Sequence, residues 1–570
     1  MSFSSRTINT WPLATLLLAQ RLVSRWLATQ LILIPLRLGL FFILVISGCD
    51  DQGGATESPP SFDLIIQGGI VYDGLGNPPS LDDIGVREGI IVSVGDLSGA
   101  TSTVLIDAAG NVVAPGFIDI HSHATSSTLA GSALVRRPLA ENYIRQGVTT
   151  VIGGQDGSSA LNIGEFLSGL DTIGTAINAG LFIGHGSIRV HVLGENDVDP
   201  SEDELAQMTG LVSAAMRDGA FGLSSGLEYI PANFAENSEL IALAKPAAEA
   251  GGLYISHIRD EGADLLESVA EVIEVAEKAG IAAQVTHHKV IGKSRWGGST
   301  ESLGLIDEAR ERGLDVSSDV YPYTASSTGL TLLFPAWSKE GGNTSLLGRL
   351  ANSETRKTIH ADIVAHINAE RGGDPYTIVA ARCPDFPEAD GFSLGALLEN
   401  RNQNVTVENA AFVVIELVEK GGCLGVFHSM SEEDVRRIMT HEQTMISSDG
   451  GVPGLGEGVP HPRNYGAFAR VLARYVREWG VLSLEEAIYK MSGLPAARLN
   501  LANRGTLVEG NIADIVIFDA DTVQDHAEFG DPHHYATGII DVFVYGIQVL
   551  KNGEPTGELP GRALRHKRPS

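Results

Sequence analysis

Short runs that alternate apolar and polar positions open and close the folded part of the chain. Residues 62–115 contain FDLIIQGGIVYDG, DIGVREGIIVSVGD and TVLIDAAGNVVAPG, broken by Gly, Asn and Asp turns. This is the two-residue period of half-buried strands in a small β unit. A similar pattern returns within 496–556, in GTLVEGNIADIVIFDAD and IIDVFVYGIQVLKNGEP. Two such segments at opposite ends can pair into one β-sandwich, with the chain between them inserted into it. That middle, 116–495, has a different rhythm. Apolar runs such as GVTTVIGG, AGLFIGHG, GLYISHI, AAQVTHHK and TMISSDGG alternate with amphipathic stretches such as SEDELAQMTGLVSAAMRDG and GADLLESVAEVIEVAEKAG. Strand and helix in repeated alternation predict an α/β fold with a parallel sheet, most simply a TIM-like (β/α)8 barrel. Residues about 330–440 break the rhythm and read as an insertion, a lid or small subdomain. The end, 557–570, reads as a basic, poorly ordered tail.

The first 48 residues follow another pattern. They carry Arg6, Arg21, Arg25 and Arg37 and no acidic residue, and the apolar run LGLFFILVI leads into Ser47-Gly48-Cys49. A basic flank, a short apolar core and small residues describe a secretory signal. The run is too short to span a bilayer, which takes roughly 20 residues. Ile46-Ser47-Gly48-Cys49 resembles a bacterial lipobox, which implies a lipid on Cys49 as the mature N-terminus. Residues 49–61, rich in Gly, Ser and Pro, then form a flexible tether. The expectation is an exported lipoprotein facing the periplasm or cell exterior, touching the membrane only through Cys49.

Composition narrows the function. The 570 residues hold 40 basic and 70 acidic side chains, a formal charge of −30. A general basic surface for nucleic acid is excluded on that balance. Three cysteines, Cys49, Cys383 and Cys423, exclude a disulfide framework or a Cys-rich zinc module. Cys383 and Cys423 can pair in an oxidising compartment, which the sequence leaves open.

The chemistry sits at strand ends. His121 and His123 follow the apolar run FIDI. Residues i and i+2 of a strand share a face, so the two imidazoles converge, as a metal requires; the same spacing also suits structural histidines on a half-buried strand. His257 ends GGLYISH, His287 ends IAAQVTH and Asp449 ends TMISSD. Asp449 is either a proton carrier facing a metal or the cap of an Asp-Gly turn.

Pro115-Gly116-Phe117-Ile118-Asp119-Ile120-His121-Ser122-His123 resembles the first-strand motif of the amidohydrolase superfamily. Later segments resemble its D-aminoacylases, the N-acyl-D-amino-acid deacylases: Gly184-His185-Gly186, Gly222-Leu223-Ser224-Ser225-Gly226-Leu227, Ser256-His257-Ile258-Arg259, His287-His288-Lys289, Asp319-Val320-Tyr321-Pro322-Tyr323, Ser447-Ser448-Asp449-Gly450 and His461-Pro462-Arg463. The resemblance implies one or two Zn²⁺ ions, other divalent metals being compatible, held by His121, His123, His257, His287 and Asp449. Asp449 would also be the general base and acid. It implies Lys289, Tyr321, Ser327 and Arg463 for the substrate carboxylate, and His185 behind the ligands or lining the pocket. His288 is expected to point away. One position departs from the pattern. The deacylases carry a Cys ligand, in an Asn-Cys-Gly setting, after the strand matching GVTTVIGG; this chain reads Gly154-Gln155-Asp156-Gly157. Asp156 stands nearest, either as a replacement ligand or as a turn residue.

The implied reaction is metal-dependent hydrolysis of N-acyl-D-amino acids to a carboxylate and a free D-amino acid. The alternatives are a D-residue-containing peptide or a cyclic amide as substrate, or a tethered binding protein on a decayed barrel.

Overall fold

The computed structural model of the chain describes residues 62–567. The signal and tether, with Cys49, lie outside the described residues. No helix among the described residues is long and apolar enough to cross a membrane.

Eight parallel strands form the central barrel: β1 (Phe117–Asp119), β2 (Val148–Gly153), β3 (Asn178–Leu181, resumed at Ile183–Gly184), β4 (Gly222–Gly226), β5 (Leu253–His257), β6 (Ala282–Val285), β7 (Val316–Val320) and β8 (Thr444–Ile446). Each pairs in parallel with the next. The ring closes where Ser122, past β1, bridges Gly450, past β8; there His123 N–H donates to the Gly450 carbonyl at 2.6 Å and Asp449 N–H to the His121 carbonyl at 2.9 Å. Helices cover the outside, so the strands are buried on both faces and read as continuous apolar runs. The helix Glu202–Asp218 shows how sequence sets its ends. Ser201 and Glu204 form a reciprocal capping box, Gly219 closes it in left-handed conformation (φ 104°), and Met208, Val212, Ala215 and Met216 turn inward.

The terminal segments do form a sandwich. Phe62–Gln67, Asp83–Arg87, Ile90–Gly95 and Ser102–Asp107 make one sheet. Val112–Pro115 joins the other by running antiparallel to Ile515–Phe518, with Ile515 opposite Pro115. Leu64, Ile66, Ile84 and Val86 of the first sheet pack on Val113, Ile515, Ile517 and Phe543 of the second. Because Val112–Pro115 leads through Gly116 into β1, the sandwich fixes where the barrel starts.

The insertion lies between β7 and β8. It begins at Ser326–Gly329, which pairs antiparallel with Leu424–Phe427, itself paired with Ile378–Arg382. A separate apolar core, including Leu333, Ile363, Leu398 and Val414, backs this sheet. Cys383 and Cys423 are joined as a disulfide. The insertion ends sooner than the sequence suggests. The helix Glu432–Thr440 turns Val435, Ile438 and Met439 into the barrel core, so it belongs to the barrel.

The C-terminal segment corrects the expectation of a loose tail. Gly561 N–H donates to the Thr175 carbonyl at 2.8 Å, Leu564 N–H to Ala179 at 2.7 Å and His566 N–H to Gly219 at 2.9 Å. Ala563 and Leu564 are buried, and Arg565 pairs with Asp171 at 2.9 Å. Two apolar residues among the basic ones anchor the segment across the foot of β3.

Candidate metal centre and active site

The end of β5 and the loops that follow β1, β2, β6 and β8 bring five predicted side chains to one point, with a sixth, Asp156, at its middle. Asp156 Oδ1 lies 3.5 Å from His121 Nε2, 3.4 Å from His287 Nε2 and 3.9 Å from His257 Nδ1; its Oδ2 lies 3.3 Å from His123 Nε2. Asp449 Oδ1 is 3.0 Å from His123 Nε2 and 3.6 Å from His121 Nε2. Two sets of donors share Asp156: His121, His123, Asp156 and Asp449 in one, and Asp156, His257 and His287 in the other, with donor atoms within 4.8 Å of one another; Glu228, His257 and Glu261 make a third. Asp156 is the residue common to the first two sets.

Asp156 (φ 51°), His287 (φ 34°) and Asp449 (φ 51°) all have positive φ, uncommon for non-glycine residues, though Asp and His are among the types most often found there.

The polar atoms are not satisfied by the protein. Both His121 ring nitrogens, His257 Nδ1, Asp156 Oδ1 and Asp449 Oδ1 are buried without hydrogen-bond partners. Unpaired buried polar atoms are rare, and all of these but His121 Nδ1, which lies 3.9 Å from Asp319 Oδ1, face the same few ångströms. Burial disfavours charge on Asp156, yet the His121 and His287 imidazoles hold its carboxyl well below the usual range. Burial likewise opposes ionisation of Asp449, and Arg463 and the histidines override it and hold the pKa low. Burial alone would lower His123 and His257, but the surrounding carboxylates push each up to about 10. The pocket thus draws positive charge. Nitrogen and oxygen donors in this arrangement fit divalent cations.

Two carboxylates that sequence reasoning missed orient the histidines. Glu228 Oε2 lies 2.8 Å from His257 Nε2, which leaves Nδ1 free to face Asp156. Glu261 Oε1 lies 3.2 Å from His287 Nδ1, which leaves Nε2 free in the same way. A carboxylate holding the far nitrogen of a metal-facing histidine fixes its tautomer and ring plane. A third missed residue, Asp319 in β7, is buried and accepts from Gln284 Nε2 at 2.6 Å, His287 N–H at 3.0 Å and Ser447 Oγ at 2.7 Å. It fastens the β6 and β8 loops together. For Asp319 the available signal was an acidic residue within a barrel strand.

The substrate-side residues divide. Arg463, Ser327 and Lys289 line a cavity of about 1180 Å³ that opens over the metal-facing groups. Arg463 Nη1 donates to Asp449 Oδ2 at 2.7 Å and Nη2 to the Ser327 carbonyl at 3.2 Å. Lys289 Nζ is buried between Glu261 and His287. Tyr321 does not line the cavity. It is buried beneath it, with Arg463 5.1 Å and Lys289 5.7 Å from its ring centre, and its hydroxyl faces Met430 Sδ. Its ring supports the two cations; its hydroxyl is not presented to a ligand.

His185 is also corrected. It does not reach the metal-facing groups: its Nε2 lies 2.7 Å from Glu239 Oε1, in a buried cluster that includes Arg189. His288 does point away. Its Nε2 meets Ser302 Oγ at 2.8 Å, and burial holds its pKa down at about 3.

The amidohydrolase family profile matches residues 104–556. The chain belongs to the amidohydrolase family. Among its amidohydrolase relatives it stands with the D-aminoacylases. It is 35% identical over 525 residues to N-acyl-D-glutamate deacylase from Alcaligenes xylosoxydans xylosoxydans, covering 88% of this chain and 96% of that one. It is 34% identical over 532 residues to D-aminoacylase from the same organism, covering 89% and 98%. The solved N-acyl-D-glutamate deacylase from Bordetella bronchiseptica, complexed with zinc and a phosphonate mimic of its tetrahedral intermediate, superposes with a TM-score of 0.75 at 32% identity, covering 88% of this chain and 99% of that one.

Proposed function

We propose that the protein hydrolyses the amide bond of N-acyl-D-amino acids in a zinc-dependent reaction, and that it does so as an exported lipoprotein. The observation that carries the catalytic reading is the convergence of four histidines with Asp156 and Asp449 on unsatisfied, anion-rich ground at the C-terminal mouth of the barrel. His121, His123, His257, His287, Asp156 and Asp449 would hold the metal. Bound there, zinc would polarise the scissile carbonyl and lower the pKa of a water from 15.7 to roughly 7. The remaining work falls to the protein. Asp449 Oδ1 takes the proton of the attacking water and delivers it to the leaving nitrogen. Arg463 keeps Asp449 anionic through Oδ2, so Oδ1 stays turned to the reacting atoms. Arg463 and Lys289, supported on Tyr321, set the positive side of the cavity against the substrate carboxylate. Choice of the D series follows from the activities named for both Alcaligenes relatives.

The Cys383–Cys423 disulfide supports the exported reading, since such bonds persist in oxidising compartments. Cys49→Ser would then move the protein from the membrane fraction to the soluble one. The test of the activity is release of free amino acid from paired N-acetyl-D and N-acetyl-L substrates. Release from the D series alone, abolished by Asp449→Asn, is expected; release from neither series by metal-loaded protein overturns the reading.

A further inference from the structure

The donors around Asp156 contain no sulfur. Among the described residues the two cysteines are bonded to each other, Cys383 to Cys423, within the insertion. The metal-facing atoms are imidazole nitrogens and carboxylate oxygens only. Asp156 Oδ1 faces donors of both sets, His121 as well as His257 and His287, while Oδ2 faces His123 of the first. A carboxylate so placed reaches the donors of both sets.

We infer that Asp156 is the shared ligand of a two-cation centre built wholly from nitrogen and oxygen, and that this makes the centre selective against thiophilic ions and indifferent to thiol chemistry. The inference rests on the metal-dependent reading above and deepens it. Imidazole and carboxylate suit zinc, cobalt and manganese, whereas thiolate selects softer ions such as cadmium. Without a thiolate, zinc keeps its place in the Irving–Williams order but cadmium gains no advantage over it. The centre also offers nothing for oxidants to convert to sulfenic or sulfinic acid. The backbone agrees: at φ 51° Asp156 occupies a conformation for which Asp is among the better tolerated residues.

The test strips the full chain of metal and dialyses it against equal Zn²⁺, Co²⁺, Mn²⁺ and Cd²⁺, then counts ions per chain. Cobalt-loaded protein is examined for thiolate-to-cobalt charge-transfer absorption in the near ultraviolet. Wild-type protein is expected to prefer zinc to cadmium, to accept cobalt and, with zinc withheld, manganese, and to show no such band. Asp156→Cys is expected to raise the cadmium-to-zinc ratio about tenfold and to introduce the band. Cadmium preferred by the wild type, or an unchanged ion count and cobalt spectrum in Asp156→Ala, overturns the inference. If Asp156→Cys does not fold, the wild-type competition and the Asp156→Ala spectrum decide the matter. Expected ion counts without deacylation would remove the proposed reaction and leave this inference standing; deacylation with an ion count indifferent to Asp156 would do the reverse.

Discussion

The barrel buries two histidine–carboxylate clusters, and they are put together differently. Around Glu239, the anion is matched within the protein: His185 holds one oxygen and Arg189 the other, and Arg189 Nη2 donates to the Val198 carbonyl at 2.9 Å. Around Asp156, four carboxylates, Asp156, Asp449, Glu228 and Glu261, are set against only two permanent cations, Lys289 and Arg463. The first cluster carries its own counter-charge and welds a helix to its neighbour. The second gathers four histidines with its carboxylates and turns several of their donor atoms on one point. A buried histidine beside a carboxylate is therefore no mark of function; the convergence of several donors is.

The contrast can be broken in order of effect. Asp449→Asn is expected to cut kcat by about 10²–10⁴-fold, the usual range for a lost general acid–base group, while the far-ultraviolet circular dichroism stays that of the wild type. The matching change in the other cluster, Glu239→Gln, should do the opposite. It leaves Arg189 buried and uncompensated, at about 3 kcal/mol of unfolding free energy in urea, with kcat/KM of the folded fraction unchanged. Burial raises the Glu239 pKa, but His185 and Arg189 win and hold it below 4.5. Its contribution is therefore complete above the ordinary glutamate pKa and disappears as pH falls through the folded value. Wild type and Glu239→Gln should converge in stability on acidification. Chelation should lower stability by about 2.7 kcal/mol relative to protein held at a hundredfold excess of zinc over its dissociation constant. The same increment is expected in Glu239→Gln, because well-separated sites add. Arg463→Lys should have the smallest effect, about tenfold in kcat/KM. It keeps the charge but loses the fork that grips Asp449 and the Ser327 carbonyl together.

Much of the centre was legible because barrel geometry ties position to sequence. A histidine at the end of an apolar barrel run is placed to emerge at the mouth, and His121, His257 and His287 do so. Asp156 was legible as a departure, though its place between both donor sets needed coordinates. Glu228 and Glu261 were not legible: they lie in loops just past β4 and β5, and the chain has 70 acidic residues to choose from. His185 misled because strand-end placement is necessary for the mouth but not sufficient; it begins the helix His185–Leu193 and turns back toward Glu239. The insertion's end was misjudged for a related reason. The amphipathic pattern of Glu432–Thr440 is the same whether its apolar face meets the insertion or the barrel.

The inserted unit has its own core and its own covalent bond, yet Ser326, Thr328, Leu332, Arg371, Arg382 and Leu424 from it form one wall of the cavity. The cavity is thus closed on one side by a part of the chain whose apolar core is distinct from that of the barrel. A substitution inside that core can move the wall without touching the strand ends that carry the histidines.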